Sequence, residues 1–182
     1  ADFDNDGNKD LLITSGIVKR PVDLDYVKFV SDLKLKGFDK TDAHDEEAIN
    51  AMPDGASHPF LFKGDGKTAF TDVSELWGTG KMKGYFNGAS VADLDNDGDL
   101  DIVMNCISSP AVILKNNTAN KGHITISCKS ASLNTRGIGS KVYTFQQNKI
   151  QYQQLMSARG FESSSEPRLH FGIDSSATID SI

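Results

Sequence analysis

Ala92-Asp93-Leu94-Asp95-Asn96-Asp97-Gly98-Asp99-Leu100-Asp101-Ile102 is the stretch whose reading decides the fold. It returns at the start of the chain as Ala1-Asp2-Phe3-Asp4-Asn5-Asp6-Gly7-Asn8-Lys9-Asp10-Leu11, with the leading aspartates 91 positions apart. Carboxylates on alternate residues, a glycine where the loop must turn and a further carboxylate at the ninth position form an oxygen-only donor set. A hard cation such as Ca²⁺ takes about six to eight such oxygens. The expected ligands are Asp2, Asp4, Asp6, the Asn8 carbonyl and Asp10 in the first loop, and Asp93, Asp95, Asp97, the Asp99 carbonyl and Asp101 in the second. The second loop is expected to hold its ion more securely, since the first stands at a chain end. Mg²⁺ fits less well, because it keeps its waters and rarely accepts an all-protein cage.

The flanks say what carries these loops. An EF-hand needs a bidentate Glu at position twelve and a helix on either side, whereas here position twelve is Ile13 or Met104. The second loop stands between Phe86–Ala92 and Ile102–Met104, both of strand character, and the first is followed by the strand-like Leu11–Thr14. The loop chemistry therefore sits on a β-hairpin. The first copy shows only its second strand, so the chain is expected to begin inside a structural unit, and the strand pattern still running at Ile182 predicts a cut at that end too.

Between the loops, Val22, Tyr26, Phe29, Val30 and Leu33 recur at helical spacing behind Pro21, which suits a first helical turn. A weaker helix is predicted over about Asp45–Met52, stopped by Pro53-Asp54-Gly55. Pro59–Lys63, Gly64–Lys67 and Thr68–Val73 read as strand, turn and strand. After Val112–Lys115, the polar run Asn116–Gly122 marks a boundary, and about five short strands without a helix are expected beyond it. An interrupted sheet exposes unpaired strand edges, and the helix Val22–Leu35 is expected to cover them. The alternative is pairing with a second copy.

Composition limits the function classes. The chain has 182 residues and a net charge of −6, with nine of its 25 acidic residues inside the two loops. That balance disfavours nucleic acid as a partner. No apolar run approaches the roughly 20 residues that span a bilayer, and no signal peptide opens the sequence. Cys106 and Cys128 show no metal or redox spacing and are read as buried thiols rather than a pair. His44, His58, His123 and His170 lack zinc-site spacing. Gly78-Thr79-Gly80-Lys81 lacks the remaining P-loop residues, and no nucleophile elbow occurs. Trp77, Tyr85 and Phe86 are read as core residues of the β unit; exposed, they would form a sugar-stacking platform.

The string Phe86-Asn87-Gly88-Ala89 followed by the loop Asp93–Asp101 resembles an FG-GAP repeat of the integrin α and VCBS type, a calcium-holding β-propeller blade. Pro59–Gly66 with Phe70–Val73 is similar to the strand pair that precedes such a repeat. Arg136–Val142, Gln151-Tyr152-Gln153 and the string Arg159-Gly160-Phe161-Glu162-Ser163-Ser164-Ser165 through Leu169-His170-Phe171-Gly172 resemble the ASPIC/UnbV domain, which follows VCBS repeats in bacterial secreted proteins and in cartilage acidic protein. The resemblance implies a mainly β fold: incomplete calcium-binding β-propeller-type blades at 1–118 with a helical insertion at about 17–57, then a small β-rich, sandwich-like ASPIC/UnbV domain at 119–182, cut at its C-terminus. It further implies two Ca²⁺ sites and an extracellular, cell-surface or periplasmic setting.

The functional expectation is a secreted, integrin-like calcium-binding module for cell adhesion, non-catalytic, with a protein or glycan ligand. Arg136, Arg159 and His170 are its candidate ligand-binding surface. The rival is part of a calcium-dependent carbohydrate hydrolase or lyase; an RNA-binding role comes third, opposed by the acidic balance.

Overall fold

The computed structural model describes residues 1–35, 42–118, 121–131 and 133–182. Its elements run β1 (Leu11–Ile13), α1 (Leu24–Leu35), α2 (Asp42–Ala51), β2 (Phe60–Gly64), β3 (Phe70–Asp72), β4 (Phe86–Ala92), β5 (Asp101–Cys106), β6 (Val112–Leu114), β7 (Gly122–Ile126), β8 (Lys141–Gln146), β9 (Lys149–Gln154) and β10 (Leu169–Ile173). The protein is mainly β. Among the described residues the strands form two three-stranded antiparallel sheets, β1-β2-β3 and β4-β5-β6, and two ribbons, β7-β10 and β8-β9, with no closed barrel.

The two three-stranded sheets repeat each other in register. Leu11 pairs with Phe62 and Ile13 with Phe60, as Ile102 pairs with Leu114 and Met104 with Val112. β5 also carries β4 on its other side, with Val91 opposite Ile102 and Ala89 opposite Met104. Among the described residues β1 has no strand there. The effect on burial is direct: Leu11 and Ile13 remain 42% and 44% exposed, whereas their equivalents Ile102 and Met104 are 6% and 0% exposed. Phe3, Leu61, Phe86, Ile102, Met104 and Cys106 make the shared core of this half, and Trp77 meets the Phe3 ring edge-on at 6.4 Å. Phe86 is thus buried and Trp77 half-buried, while Tyr85 donates from its hydroxyl to Asp54 at 2.7 Å.

The helical insertion is closed at its base. Arg20 N donates to Pro53 O at 3.0 Å and Gly55 N to Val18 O at 3.0 Å, so the chain leaves and returns through one short stem. Asp23 opens α1 by accepting from Asp25 N at 3.1 Å. Although α1 has the expected apolar spacing, it has no buried residue and no extensive contact with any strand. It does not cover a sheet edge. The expected second helix, about Asp45–Met52, forms as α2; of its residues, Asp45 lies outside the described side chains.

β4 is covered by other means. Its outward amides at Ala89 and Val91 donate to Ser163 Oγ at 3.0 Å and Ser165 Oγ at 3.2 Å. Hydroxyls from a loop thus replace the missing neighbour strand.

The C-terminal ribbons enclose Leu155, Leu169 and Phe171, packed by Ile124, Ile126, Cys128 and Val142. Four strands form here, and the last residues add an isolated bridge, Phe145 to Ser181, where a fifth strand was expected. Cys106 and Cys128 are both free thiols, the first buried and the second half-buried.

Candidate metal centres

The second acidic loop joins β4 to β5 and the first leads into β1; each is bent by two residues in the left-handed region, Asn5 (φ 53°) and Gly7 (φ 78°) in the first, Asn96 (φ 61°) and Gly98 (φ 92°) in the second. Asn tolerates this conformation better than most residues and Gly adopts it freely. The turn brings Asp2, Asp4 and Asp10 together with one carboxylate oxygen of each within 4.8 Å of the others, and Asp93, Asp95 and Asp101 likewise.

The loops share most of their hydrogen bonds. The ninth-position carboxylate accepts from the strand across: Asp10 Oδ1 from Gly64 N at 3.0 Å and Asp101 Oδ1 from Asn116 N at 2.8 Å. Its second oxygen accepts from Phe3 N at 2.8 Å or Leu94 N at 3.0 Å. The first-position carboxylate accepts from the turn glycine: Asp2 Oδ2 from Gly7 N at 2.8 Å, Asp93 Oδ2 from Gly98 N at 3.1 Å. Asp6 and Asp97 accept from the amides of Asn8 and Asp99. A lysine stands beside each of them.

Those lysines escaped the sequence reading. Lys63, at the end of β2, is bonded to Asp4 and lies 2.8 Å from Asp6 Oδ2; Lys115, just after β6, is bonded to Asp95 and lies 3.3 Å from Asp97 Oδ2. Burial works against the Lys63 charge, but the Asp4 and Asp6 carboxylates override it and raise its pKa above the ordinary lysine value. The signal was present: Phe60-Leu61-Phe62-Lys63 and Val112-Ile113-Leu114-Lys115 are the same three-apolar-plus-lysine strand.

Burial raises the pKa of Asp2 and of Asp10, in the latter case against the backbone donors Gly64 and Phe3, and burial with the neighbouring Asp97 raises Asp99. Asp4 Oδ1 and Asp93 Oδ1 are buried with no hydrogen-bond partner among the described residues. Burying an acceptor without a partner costs free energy, and a cation in the cluster removes that cost. The all-oxygen donor set fits a hard divalent ion.

The C-terminal domain sits on this pair of loops. Asp2 Oδ2 also accepts from Gly172 N at 3.1 Å, and a Cβ on Gly172 would fall 2.5–2.6 Å from the Asn5 backbone. Lys149 Nζ donates to Asp6 O at 2.6 Å, and Asn116 Nδ2 to Phe3 O at 2.6 Å. His170 Nε2 lies 2.6 Å from Asn5 Oδ1, and its ring stacks on His123 at 5.5 Å. Burial, then the His123 and Lys9 charges, lower the His170 pKa to about 4. Of the expected ligand surface, His170 is therefore a buried strut; Arg159 lines one hollow with it, and Arg136 lines another.

Residues 46–104 match the FG-GAP-like repeat family, and residues 130–182 match the ASPIC and UnbV family. The chain carries an FG-GAP-like repeat and an ASPIC/UnbV domain. No curated protein matches the sequence. The FG-GAP match spans β2 to β5 and the second acidic loop; the ASPIC/UnbV match spans β8, β9 and β10, including the serines that cap β4 and the Gly172 that crosses the first loop. The FG-GAP and ASPIC/UnbV domains suggest an extracellular-type binding or repeat module, and no helix among the described residues is long and apolar enough to cross a membrane.

Proposed function

We propose that this chain is a calcium-braced, non-catalytic binding and adhesion module of an extracellular, cell-surface or periplasmic protein, built from a propeller-type part at 1–118 and an ASPIC/UnbV-like part at 119–182. The observation that carries the reading is the pair of three-carboxylate clusters in two turns of like sequence, each with a buried oxygen that lacks a hydrogen-bond partner among the described residues. One Ca²⁺ per loop would be held by Asp2, Asp4 and Asp10 and by Asp93, Asp95 and Asp101, with Asp6, Asp97 and the carbonyls of Asn8 and Asp99 within the same turns. The ion would supply rigidity: it neutralises carboxylates that burial disfavours and fixes two turns on which the C-terminal ribbons rest.

The open side of β1 extends the proposal to self-association. Leu11 and Ile13 present an unpaired edge and exposed apolar side chains, which invites a strand from a second copy.

An array of glycans and matrix proteins, probed in millimolar calcium and again in chelator, tests the function. The reading expects retention that chelator abolishes. Turnover of an arrayed polysaccharide would instead favour a calcium-dependent carbohydrate hydrolase or lyase, and calcium-independent binding would refute the brace.

A further inference from the structure

A cavity of about 90 Å³ opens where the first loop, β4 and the C-terminal ribbons meet. Its charge is unusual for a chain of net charge −6. Lys9, Arg159 and Arg168 line it, against two carboxylates, Asp93 and Glu166. Glu166 Oε1 accepts from Arg168 Nε at 2.7 Å, and Asp93 accepts from Gly98 N through Oδ2 at 3.1 Å and would be claimed by calcium in the second acidic cluster. Among the described residues neither Lys9 nor Arg159 forms an ion pair, and Lys9 feels the Asp2 and Asp10 charges only from beyond ion-pair distance. Arg159 Nη2 donates to the Gln154 carbonyl at 2.7 Å, and the Lys9 ammonium stands 5.6 Å from the centre of the Phe171 ring.

Neutral donors share the space. Ser165 Oγ accepts from Val91 N, so its own proton is available to donate, and Thr125 lines the same cavity from β7. Two like charges in one small recess repel each other unless an anion lies between them. A guanidinium presents parallel N–H groups that match the two oxygens of an oxyanion, and an ammonium adds a point charge.

We propose that this cavity is an oxyanion site, taking one sulfate or carboxylate group between Lys9 and Arg159 with the Ser165 and Thr125 hydroxyls as further donors. The recess is small, so a larger ligand would anchor its acidic group here and extend outside. The proposal rests on the binding-module reading and deepens it by naming the ligand chemistry.

The test is a titration of the whole chain, in chloride-free buffer with calcium present, by inorganic sulfate, acetate and a sulfated disaccharide, followed by amide chemical shifts. Saturable shifts at Lys9, Arg159 and Thr125 are expected. Affinity should fall by about tenfold in Arg159→Ala, as for loss of a charged hydrogen bond, should be largely kept in Arg159→Lys, and should not change in Lys81→Ala, an exposed cation away from the cavity. Tighter binding of the disaccharide than of sulfate assigns the site to a glycan-borne group; equal affinity assigns it to a free anion. Shifts that do not saturate, or binding unchanged in both Arg159→Ala and Lys9→Gln, would overturn the site. A parallel calcium titration separates the two readings, since sulfate bound without calcium removes only the brace, and calcium bound without any oxyanion removes only this site.

Discussion

Asn5 Nδ2 donates to Asp99 Oδ1 at 2.8 Å and to the Gly98 carbonyl at 3.2 Å, so a residue of the first acidic loop is hydrogen-bonded to the turn of the second. With both amide hydrogens directed there, Asn5 Oδ1 accepts from His170 Nε2. One buried side chain joins two candidate metal loops and the C-terminal domain.

Replacing that amide tests the junction. Asn5→Asp keeps a residue that tolerates positive φ but removes the donor and sets a carboxylate against Asp99. We expect a loss of about 2–4 kcal/mol in calcium-free protein, read as a lower denaturant midpoint. An unchanged midpoint would mean that Asn5 does not join the loops.

The serines on β4 give a second expectation. Ser163→Ala with Ser165→Ala removes the acceptors for the Ala89 and Val91 amides, costing about 1 kcal/mol each. It also uncovers a strand edge. Light scattering should show more self-association than in the unaltered protein; a double variant that stays equally monomeric and equally stable would contradict the capping role.

His170 makes stability depend on pH. Its folded pKa of about 4 lies below the ordinary 6.5, so the folded state favours the neutral ring. The associated stability is complete above pH 6.5, falls as pH drops through the interval, and is gone below about pH 4. The shift corresponds to about 3 kcal/mol at most. His170→Gln retains a donor toward Asn5 but cannot titrate, and its stability curve from pH 7 to pH 4 should lack this component. Parallel curves for the two proteins would refute the assignment.

The acidic loops were legible in the sequence because alternate carboxylates and a turn glycine are local, and so were the strands that flank them. Junctions between distant positions were not. Asn5 and His170 are 165 positions apart, and nothing in either neighbourhood marks them as partners. The role of α1 was missed for another reason: apolar residues at helical spacing define a face but not what lies against it, and here Tyr26, Phe29, Val30 and Leu33 are only half-buried and cover no sheet edge. The serine string Ser163–Ser165 stood out only as part of a family-like motif; that its hydroxyls meet β4 depends on how distant segments pack.

Lys63 stands on the carboxylates that calcium would claim. Lys63→Met should weaken the calcium-free protein by on the order of 1 kcal/mol and tighten calcium binding by about three- to tenfold, because one competing cation is gone. Calorimetry of the variant beside the unaltered chain reads both, and weaker calcium binding would contradict the competition.

The central claim is that these two loops hold calcium and that calcium braces the fold. Calorimetric titration of the whole chain with CaCl₂, repeated on Asp10→Asn and Asp101→Asn, tests it most directly. The account predicts two binding events, one lost in each variant, with thermal stability rising as calcium is added. An absence of calcium binding at millimolar concentration, or binding that both variants leave intact, would contradict it.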